Sequence, residues 1–293
     1  MSDTRMARDA MYWSAAEDGA ALCELCPHNC RITKGMSGFC GARMNINGSL
    51  IASGYGLISS MALDPIEKKP LYMFHPGRHI LSFGGFGCNF RCPFCQNFEI
   101  SIEYGDTSRA AKSYSPEDVV KLALETVPNG NIGIAYTYNE PLIGYEFLYD
   151  CSVLARKAGL FNVIVTNGYI NKKPLNNLLP VADAMNIDLK SFSDSFYENA
   201  GGTLETIKET IAISHQSCHI EVTTLVIPGE NDQDIEPLAQ WLSSLDPGIP
   251  LHLTRFFPRY KYKERSPTPG ETILSAQKSA RKYLKNVFLG NIM

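Results

Sequence analysis

The stretch "GGFGCNFRCPFCQN", residues 84–97, places three cysteines within eight positions: Cys88, Cys92 and Cys95. It follows the short apolar run "ILSFGG" (80–85), so we expect a loop at the carboxyl end of a strand. A closed structural metal site usually has four protein ligands. The next cysteine along the chain is Cys151, so this group leaves one ligand to come from elsewhere.

The sequence from residue 76 onward alternates apolar runs of strand length with helical patterns. Ser115 and Pro116, with Asp118 three positions after the serine, predict a capped helix start between the first two runs. Repeated strand and helix units indicate parallel strands joined by right-handed crossovers, in an open doubly wound sheet or a barrel-like arc. The runs lie at 80–85, 132–138, 162–168, 184–190, 219–227 and 250–257.

Side-chain alternation favours the arc. In the fourth run polar residues occupy one face, and apolar residues occupy the other. A parallel strand covered by helices on both faces is apolar on both, so one face here is not covered. We therefore expect an α/β fold, a partial (β/α)6 TIM-like barrel over 76–293, with its chemistry at the carboxyl ends of the strands. His252, in the sixth run, falls on the polar face and is a candidate site residue.

Charge and hydropathy exclude two classes of partner. The net charge of -3 and a pI near 6.1, without a long basic run, lack the signature of a nucleic-acid binder. No window is apolar enough to span a bilayer, and the N-terminus lacks the apolar core of a signal peptide, so we expect a soluble, cytoplasmic protein. In that reducing setting nine cysteines indicate metal or redox chemistry.

A second cysteine group lies in the first 75 residues, which lack the strand–helix rhythm. We predict a small N-terminal cysteine-rich module over 1–75, stapled by a bound metal. The spacing fits a structural zinc ion as well as an auxiliary iron-sulfur cluster and does not separate them, and His28 is a weak alternative ligand. The group consists of Cys23, Cys26, Cys30 and Cys40.

The three-cysteine loop "GCNFRCPFCQN" resembles the signature loop of the radical S-adenosylmethionine superfamily. The resemblance implies a 4Fe-4S cluster on Cys88, Cys92 and Cys95 whose fourth iron binds S-adenosylmethionine. Cleavage of the reduced complex then gives a 5'-deoxyadenosyl radical that abstracts hydrogen from a substrate. The alternative is a structural zinc ion or cluster whose fourth ligand is His75, His79 or an N-terminal cysteine.

The same resemblance implies further cofactor-binding residues in the motifs "YTYNEP", "VTNGYI" and "NIDLKS", which are similar to stretches of the pyruvate formate-lyase-activating enzymes. Val165 departs from that pattern, because those enzymes typically carry an acid before the Thr-Asn-Gly. The implied residues are Phe94, at the adenine, and Thr137, Asn139, Glu140, Thr166, Asn167, Asp188 and Lys190, at the methionine or ribose.

Longer motifs resemble the radical enzyme of the three-gene AmmeMemoRadiSam system: "CELCPHNCRITKGMSGFCG", "DPIEKKPLYMFHPG" and "HLTRFFPRYKYKERSPTPGETIL". This resemblance implies an electron donor of the flavodoxin or ferredoxin type, and Memo-like and AMMECR-like partner proteins. Many members of that family carry a further cysteine-bearing tail after the "GN" at 290–291.

Three functions remain open at this stage. The protein is an oxidoreductase-like radical enzyme on an unidentified substrate, an activase of glycyl-radical enzymes, or a non-enzymatic metal scaffold for partner proteins. An activase needs a barrel mouth wide enough to admit a polypeptide loop.

Overall fold

A computed structural model describes residues 8–105 and 111–292. Residues 1–7 and Met293 lie outside the described residues. Residues 1–7 are the start of the N-terminal segment in which the sequence shows no signal-peptide pattern. The N-terminal region forms two three-stranded antiparallel sheets, in the orders β1-β6-β5 and β2-β3-β4. Its strands are β1 (Arg8–Asp9), β2 (Trp13–Ala15), β3 (Ala21–Cys23), β4 (Arg31–Ile32), β5 (Arg43–Ile46), β6 (Ser49–Ala52) and β7 (Leu57–Ile58).

An eight-stranded sheet forms the body of the molecule, in the order β16-β15-β14-β13-β12-β11-β9-β8. Every pairing from β9 to β16 is parallel, and β8 pairs antiparallel with β9 at the edge. The strands are β8 (Ser60–Pro65), β9 (His79–Gly84), β11 (Asn131–Tyr136), β12 (Phe161–Thr166), β13 (Ala184–Asp188), β14 (His219–Val226), β15 (Leu251–Arg255) and β16 (Val287–Gly290); the short β10 (Lys112–Ser113) pairs with β7 instead.

The predicted fold class, a partial barrel with a cysteine-rich N-terminal region, is confirmed, and its six predicted strands are β9 and β11 to β15. Two strands of this sheet were not predicted. β16 adds a seventh parallel strand, and β8 lies within 1–75, the range predicted for the N-terminal module. The domain boundary at residue 75 stays a prediction; residues 60–65, on its N-terminal side, pair with β9 in the large sheet.

Helices cover the convex side of the sheet. Ser115 caps the first long helix with a complete capping box, because its hydroxyl accepts from the Asp118 amide and the Asp118 carboxylate accepts from the Ser115 amide. Gly159 follows the third helix with φ +76°, a left-handed conformation that glycine adopts without strain. The helices are α1 (Phe98–Ser101), α2 (Pro116–Glu125), α3 (Tyr145–Lys157), α4 (Lys172–Leu178), α5 (Asp194–Ala200), α6 (Leu204–His215), α7 (Ile235–Leu245) and α8 (Gly270–Ala280).

The segment 66–75 occupies the concave side of the sheet, and we call it the plug. Its apolar residues Ile66 and Leu71 join a small buried cluster with inward side chains of four neighbouring strands. Those strand residues are Ile80, Ala135, Val163 and Ala184. The larger core lies on the other face, between the sheet and the helices.

The polar residues of the concave face bind the backbone of the plug. Asn186 donates to the Pro70 carbonyl at 2.8 Å. Both carboxylate oxygens of the fully buried Glu221 accept from plug amides, at 3.0 Å from Tyr72 and 2.8 Å from Met73. The polar face predicted to line a cavity is therefore closed by the plug over the amino half of the strands.

A buried ion pair attaches the N-terminal region to the barrel. The Arg43 guanidinium donates to the Glu146 carboxylate of α3, and both side chains are 1% exposed. Arg43 also donates to the Met11 carbonyl at 2.7 Å, and the Met11 amide donates to Glu146 at 2.7 Å. In the part of the chain that the structure describes, no helix has the length and apolar character to cross a membrane.

Candidate functional site

The three-cysteine loop leaves the carboxyl end of β9, as expected. Cys92 is buried, and Cys88 and Cys95 are half-buried. The Cys88 sulfur accepts hydrogen bonds from the Phe90 amide at 3.3 Å and from Asn167 Nδ2 at 3.8 Å. The three thiols thus share one short loop, with polar donors directed at the first of them.

Burial raises the pKa of all three thiols. The pKa of Cys88 lies well above its usual range through burial and the nearby Glu140 carboxylate. The pKa of Cys92 rises to about 11, and that of Cys95 is raised as well; the Lys190 ammonium opposes both increases. Metal binding requires thiolates, so a cationic metal centre has to offset this burial, and its binding releases protons.

Asn139, from the predicted motif "YTYNEP", fixes the backbone that leads into the cysteine loop. Its Oδ1 accepts from the Gly85 amide at 2.9 Å, and its Nδ2 donates to the Gly87 carbonyl at 3.1 Å. Thr137 is buried beside it, with its amide 2.9 Å from the Phe83 carbonyl. A Cβ at Gly84 would lie 2.5 Å from the Thr137 carbonyl oxygen, so this approach requires glycine.

Glu140 joins the motifs "YTYNEP" and "VTNGYI". Its carboxylate accepts from the Thr166 hydroxyl at 2.6 Å, the Asn167 amide at 2.8 Å and the Leu142 amide at 3.1 Å. Burial raises the Glu140 pKa to about 7, although these donors oppose the increase. Asn167 in turn contacts the Cys88 sulfur, so the structure brings Glu140, Thr166 and Asn167 together beside the loop.

Asp188 and Lys190 form an ion pair of 2.7 Å at the carboxyl end of β13. The pKa of the Lys190 ammonium is raised, because Asp188 and the Cys92 sulfur outweigh its burial. Phe94 is buried between Phe196 and Tyr262, with ring centroids 5.7 and 6.1 Å away. Asp188 and Lys190 thus lie near the cysteine loop, of which Phe94 is a part.

His252 is the one predicted cofactor-binding residue that the structure directs elsewhere. It is the second residue of β15, near the amino end of the strand, and its Nε2 lies 2.6 Å from Glu221. Its ring packs against Tyr72 of the plug and Phe288 of β16. Side-chain alternation predicted which face of the strand His252 lies on, but not how near the side chain is to the carboxyl end of the strand. The plug lies between His252 and the carboxyl ends of the strands.

Three residues near the loop were not predicted. Asn89 accepts from Asn167 at 2.8 Å and donates to the Tyr169 carbonyl at 2.8 Å. Asn97 donates to the Tyr138 carbonyl at 2.6 Å, and Tyr138 has a left-handed backbone with φ +70°. Both asparagines lie in the cysteine stretch 84–97, so their position beside the cysteines could have identified them as candidates. Nothing in the sequence indicates the left-handed backbone of Tyr138.

The second cysteine group comes together in the structure, and the metal expected there stays a prediction. Cys23, Cys26, Cys30 and Cys40 line one cavity together with His28. All nine cysteines of the chain are free thiols. Over residues 8–105 and 111–292, no three or more His, Cys, Asp or Glu side chains are arranged to hold a single metal ion.

Sequence comparisons place the chain among known proteins. The model of the Radical SAM superfamily matches residues 83–242. The uncharacterised protein MJ0808 of Methanocaldococcus jannaschii is 43% identical over 291 residues, which covers 97% of this chain and 85% of that protein.

Two enzymes of known activity match more distantly. The pyruvate formate-lyase 1-activating enzyme of Escherichia coli is 24% identical over 54% of this chain and 65% of its own length. The 4-hydroxyphenylacetate decarboxylase activating enzyme of Clostridioides difficile is 26% identical over 49% of this chain and 48% of its own. Both alignments span less than two thirds of the relative.

The fold is similar to a solved structure. Streptococcus suis SuiB superposes with a TM-score of 0.53 at 12% identity, over 71% of this chain and 47% of SuiB. The donor set fits the superfamily's cluster, because three thiols share one loop and the Asn167 amide and the Lys190 ammonium lie close enough to stabilise their negative charge. The chain therefore belongs to the radical SAM superfamily, and this membership implies an enzyme that uses a 4Fe-4S cluster and S-adenosylmethionine.

Proposed function

We propose that the protein is the radical enzyme of an AmmeMemoRadiSam-type system, acting on a substrate whose hydrogen atom it removes. When bound, the cluster and S-adenosylmethionine supply the chemistry: one electron from a flavodoxin- or ferredoxin-type donor cleaves a carbon–sulfur bond, giving methionine and a 5'-deoxyadenosyl radical that takes the hydrogen. The observation that carries the proposal is the convergence of Glu140, Thr166 and Asn167 on the Cys88 loop.

The residues around the loop have distinct proposed roles. Cys88, Cys92 and Cys95 hold the cluster, and Asn167 donates to the Cys88 sulfur. The buried Glu140 carboxylate offers negative charge to the methionine ammonium, while Thr166 and the Asn167 amide orient it. His252 is left out of this proposal, because Glu221 already binds its Nε2.

Further polar and aromatic groups complete the proposed cofactor site. The Lys190 ammonium is proposed to bind a carboxylate of the cofactor and Asp188 a ribose hydroxyl, and the 2.7 Å ion pair between them orients both side chains. Phe94 offers a ring to the adenine. Thr137 and Asn139 fix the backbone that leads into the loop.

The test is anaerobic reconstitution with iron and sulfide, reduction by dithionite, and measurement of 5'-deoxyadenosine formed from S-adenosylmethionine. We expect the wild type and the control Cys218→Ala to form it and Cys88→Ala to form none, because Cys218 lies outside both cysteine groups. A wild-type protein that binds four irons at the loop but never cleaves the cofactor, with or without partner proteins, is the metal scaffold instead.

The similarity to two activating enzymes supports a second candidate, the activation of a glycyl-radical enzyme. A glycyl signal in electron spin resonance, formed only when a partner polypeptide is present, distinguishes this function from turnover of a small molecule. Memo-like and AMMECR-like proteins are the proposed partners to add first.

We also propose a cytoplasmic setting, since free cysteines and a reduced cluster need reducing conditions. We further propose that the N-terminal cysteines bind a metal, either zinc or an iron-sulfur cluster.

A further inference from the structure

We propose that Cys23, Cys26, Cys30 and Cys40 hold a second iron-sulfur cluster rather than a zinc ion, and that it lies directly behind the Cys88 loop. The proposal concerns a separate site and does not depend on cleavage of S-adenosylmethionine.

The backbone brings the four cysteines to one place. Cys23 ends β3, and its amide donates to the Cys30 carbonyl at 2.9 Å. Between them the chain turns at Asn29, which has a left-handed backbone with φ +43° and an amide 3.0 Å from the Cys26 carbonyl. Cys40 arrives from the loop between β4 and β5, immediately before Gly41 at φ +76°.

The surroundings of the four thiols suit a redox cluster. The remaining wall of their cavity includes the apolar side chains of Leu25, Ile32, Phe39 and Ile143. An apolar shell of this kind controls solvent access to a metal centre. One cation reaches the group: the buried Arg43 guanidinium donates to the Cys23 sulfur at 3.7 Å.

The position of the group favours a cluster over zinc. Superfamily membership implies a 4Fe-4S cluster on Cys88, Cys92 and Cys95, and residues that flank the two cysteine groups are in contact. A second iron-sulfur cluster at this position can exchange an electron with the first, whereas a zinc ion has no redox chemistry.

Direct contacts connect the two cysteine groups. His28 Nε2 lies 2.8 Å from the carbonyl oxygen of Asn89, the residue after Cys88. A Cβ at Gly87 would lie 2.3 Å from the Cys40 carbonyl oxygen. The Arg91 guanidinium lies 4.1 Å from the Phe39 ring centre and donates to the Phe39 carbonyl. The residues that flank each group therefore pack against one another, which places the two sites side by side.

The first experiment counts iron, sulfide and zinc after anaerobic reconstitution, without S-adenosylmethionine. We expect Cys23→Ala/Cys26→Ala to lose iron and sulfide in equal numbers and to keep about four of each at the loop. Cys88→Ala/Cys92→Ala should keep the N-terminal set, and Cys218→Ala should match the wild type. About one zinc per wild-type chain with about four irons, or no change in Cys23→Ala/Cys26→Ala, overturns the proposal.

The second experiment tests adjacency in a protein that retains all its cysteines. Electron spin resonance of the reduced wild type should show spin–spin interaction absent from the summed spectra of the two double variants. A wild-type spectrum equal to the sum of the two separate clusters refutes adjacency. Because no cofactor cleavage is measured, failure here is distinct from failure of the proposed function.

Discussion

At the scale of single residues, Tyr138 of the motif "YTYNEP" has a left-handed backbone conformation that residues other than glycine rarely adopt. Its hydroxyl donates to Asp64 at 2.7 Å, and the Lys69 ammonium lies 4.8 Å from its ring centre while pairing with the same Asp64 at 2.7 Å. Left-handed backbone outside glycine persists only where the surroundings impose it. Tyr138 is thus a positioning residue for Asn139 and Glu140, which follow it.

Tyr138→Phe should lower the free energy of unfolding by about 1 to 3 kcal/mol, because the buried Asp64 carboxylate loses a donor. Urea unfolding of the metal-free protein measures this change. Tyr149→Phe is the matched control, since its hydroxyl has no hydrogen-bond partner among the described residues. Equal stability of the two variants would show that the Asp64 contact does not fix Tyr138.

Glu140→Gln should weaken binding of S-adenosylmethionine at least about tenfold, because a neutral amide replaces the carboxylate proposed to face the methionine ammonium. Titration calorimetry of the reconstituted protein measures the affinity. Glu198→Gln, on the exposed face of α5, is the control and should bind as the wild type does. Unchanged affinity in Glu140→Gln contradicts the assigned role.

The sequence predicted these site residues unevenly. Glu140, Thr166 and Asn167 were implied by the resemblance to the activating enzymes, and the structure brings them together because parallel strands bring their carboxyl ends to one edge. The dependence of the cofactor motif on Tyr138 could not, since it rests on a positive φ and on Asp64, a residue 74 positions away. The outcome for His252 shows the limit of alternation, which gives the face of a strand but not which segment fills the barrel at that level.

At the scale of elements, the plug closes the amino half of the barrel and rests on Glu221. Burial raises the pKa of Glu221, but hydrogen bonds from His219, His252 and the Met73 and Tyr72 amides outweigh it and lower the pKa to about 2. A carboxylate with a lowered pKa stabilises the fold above its unfolded value of 4.5, and this contribution is lost as pH falls toward 2.

Glu221→Gln should therefore destabilise the protein by about 3 kcal/mol at pH 7, and the difference from the wild type should shrink as pH falls from about 4.5 toward about 2. Urea unfolding at several pH values measures it. Glu205→Gln, an exposed residue of α6, should show no such dependence. A constant difference across this pH range would mean that Glu221 is not held as a carboxylate.

Elements with a clear period were predictable, and the others were not. The helix starting at Pro116 was recognised from its capping residues, which form the expected reciprocal bonds. β8, "SMALDP", was missed because it is an edge strand that ends in proline. The plug has no hydrophobic periodicity. It binds Glu221 through backbone amides, which every residue type except proline has, so its amino-acid sequence does not indicate where it lies.

At the scale of the whole molecule, the Arg43–Glu146 pair joins the N-terminal region to the barrel. Arg43→Met should cost about 3 to 5 kcal/mol in the metal-free protein, because it leaves a buried carboxylate without its cation. The double variant Arg43→Met/Glu146→Leu should recover part of this loss. Urea unfolding decides between these outcomes, with Arg156→Met, a half-exposed partner of Asp183, as the control. A double variant less stable than Arg43→Met would contradict the explanation.

The fit between Gly87 and the Cys40 carbonyl has a consequence for biosynthesis. The N-terminal cysteines leave the ribosome first, but the loop that packs against Cys40 follows β9 and takes its final place only when β9 has paired with β8 and β11. A cluster inserted early would be solvent-accessible until that moment. We therefore expect iron delivery to the N-terminal cysteines to be completed only after synthesis of the barrel.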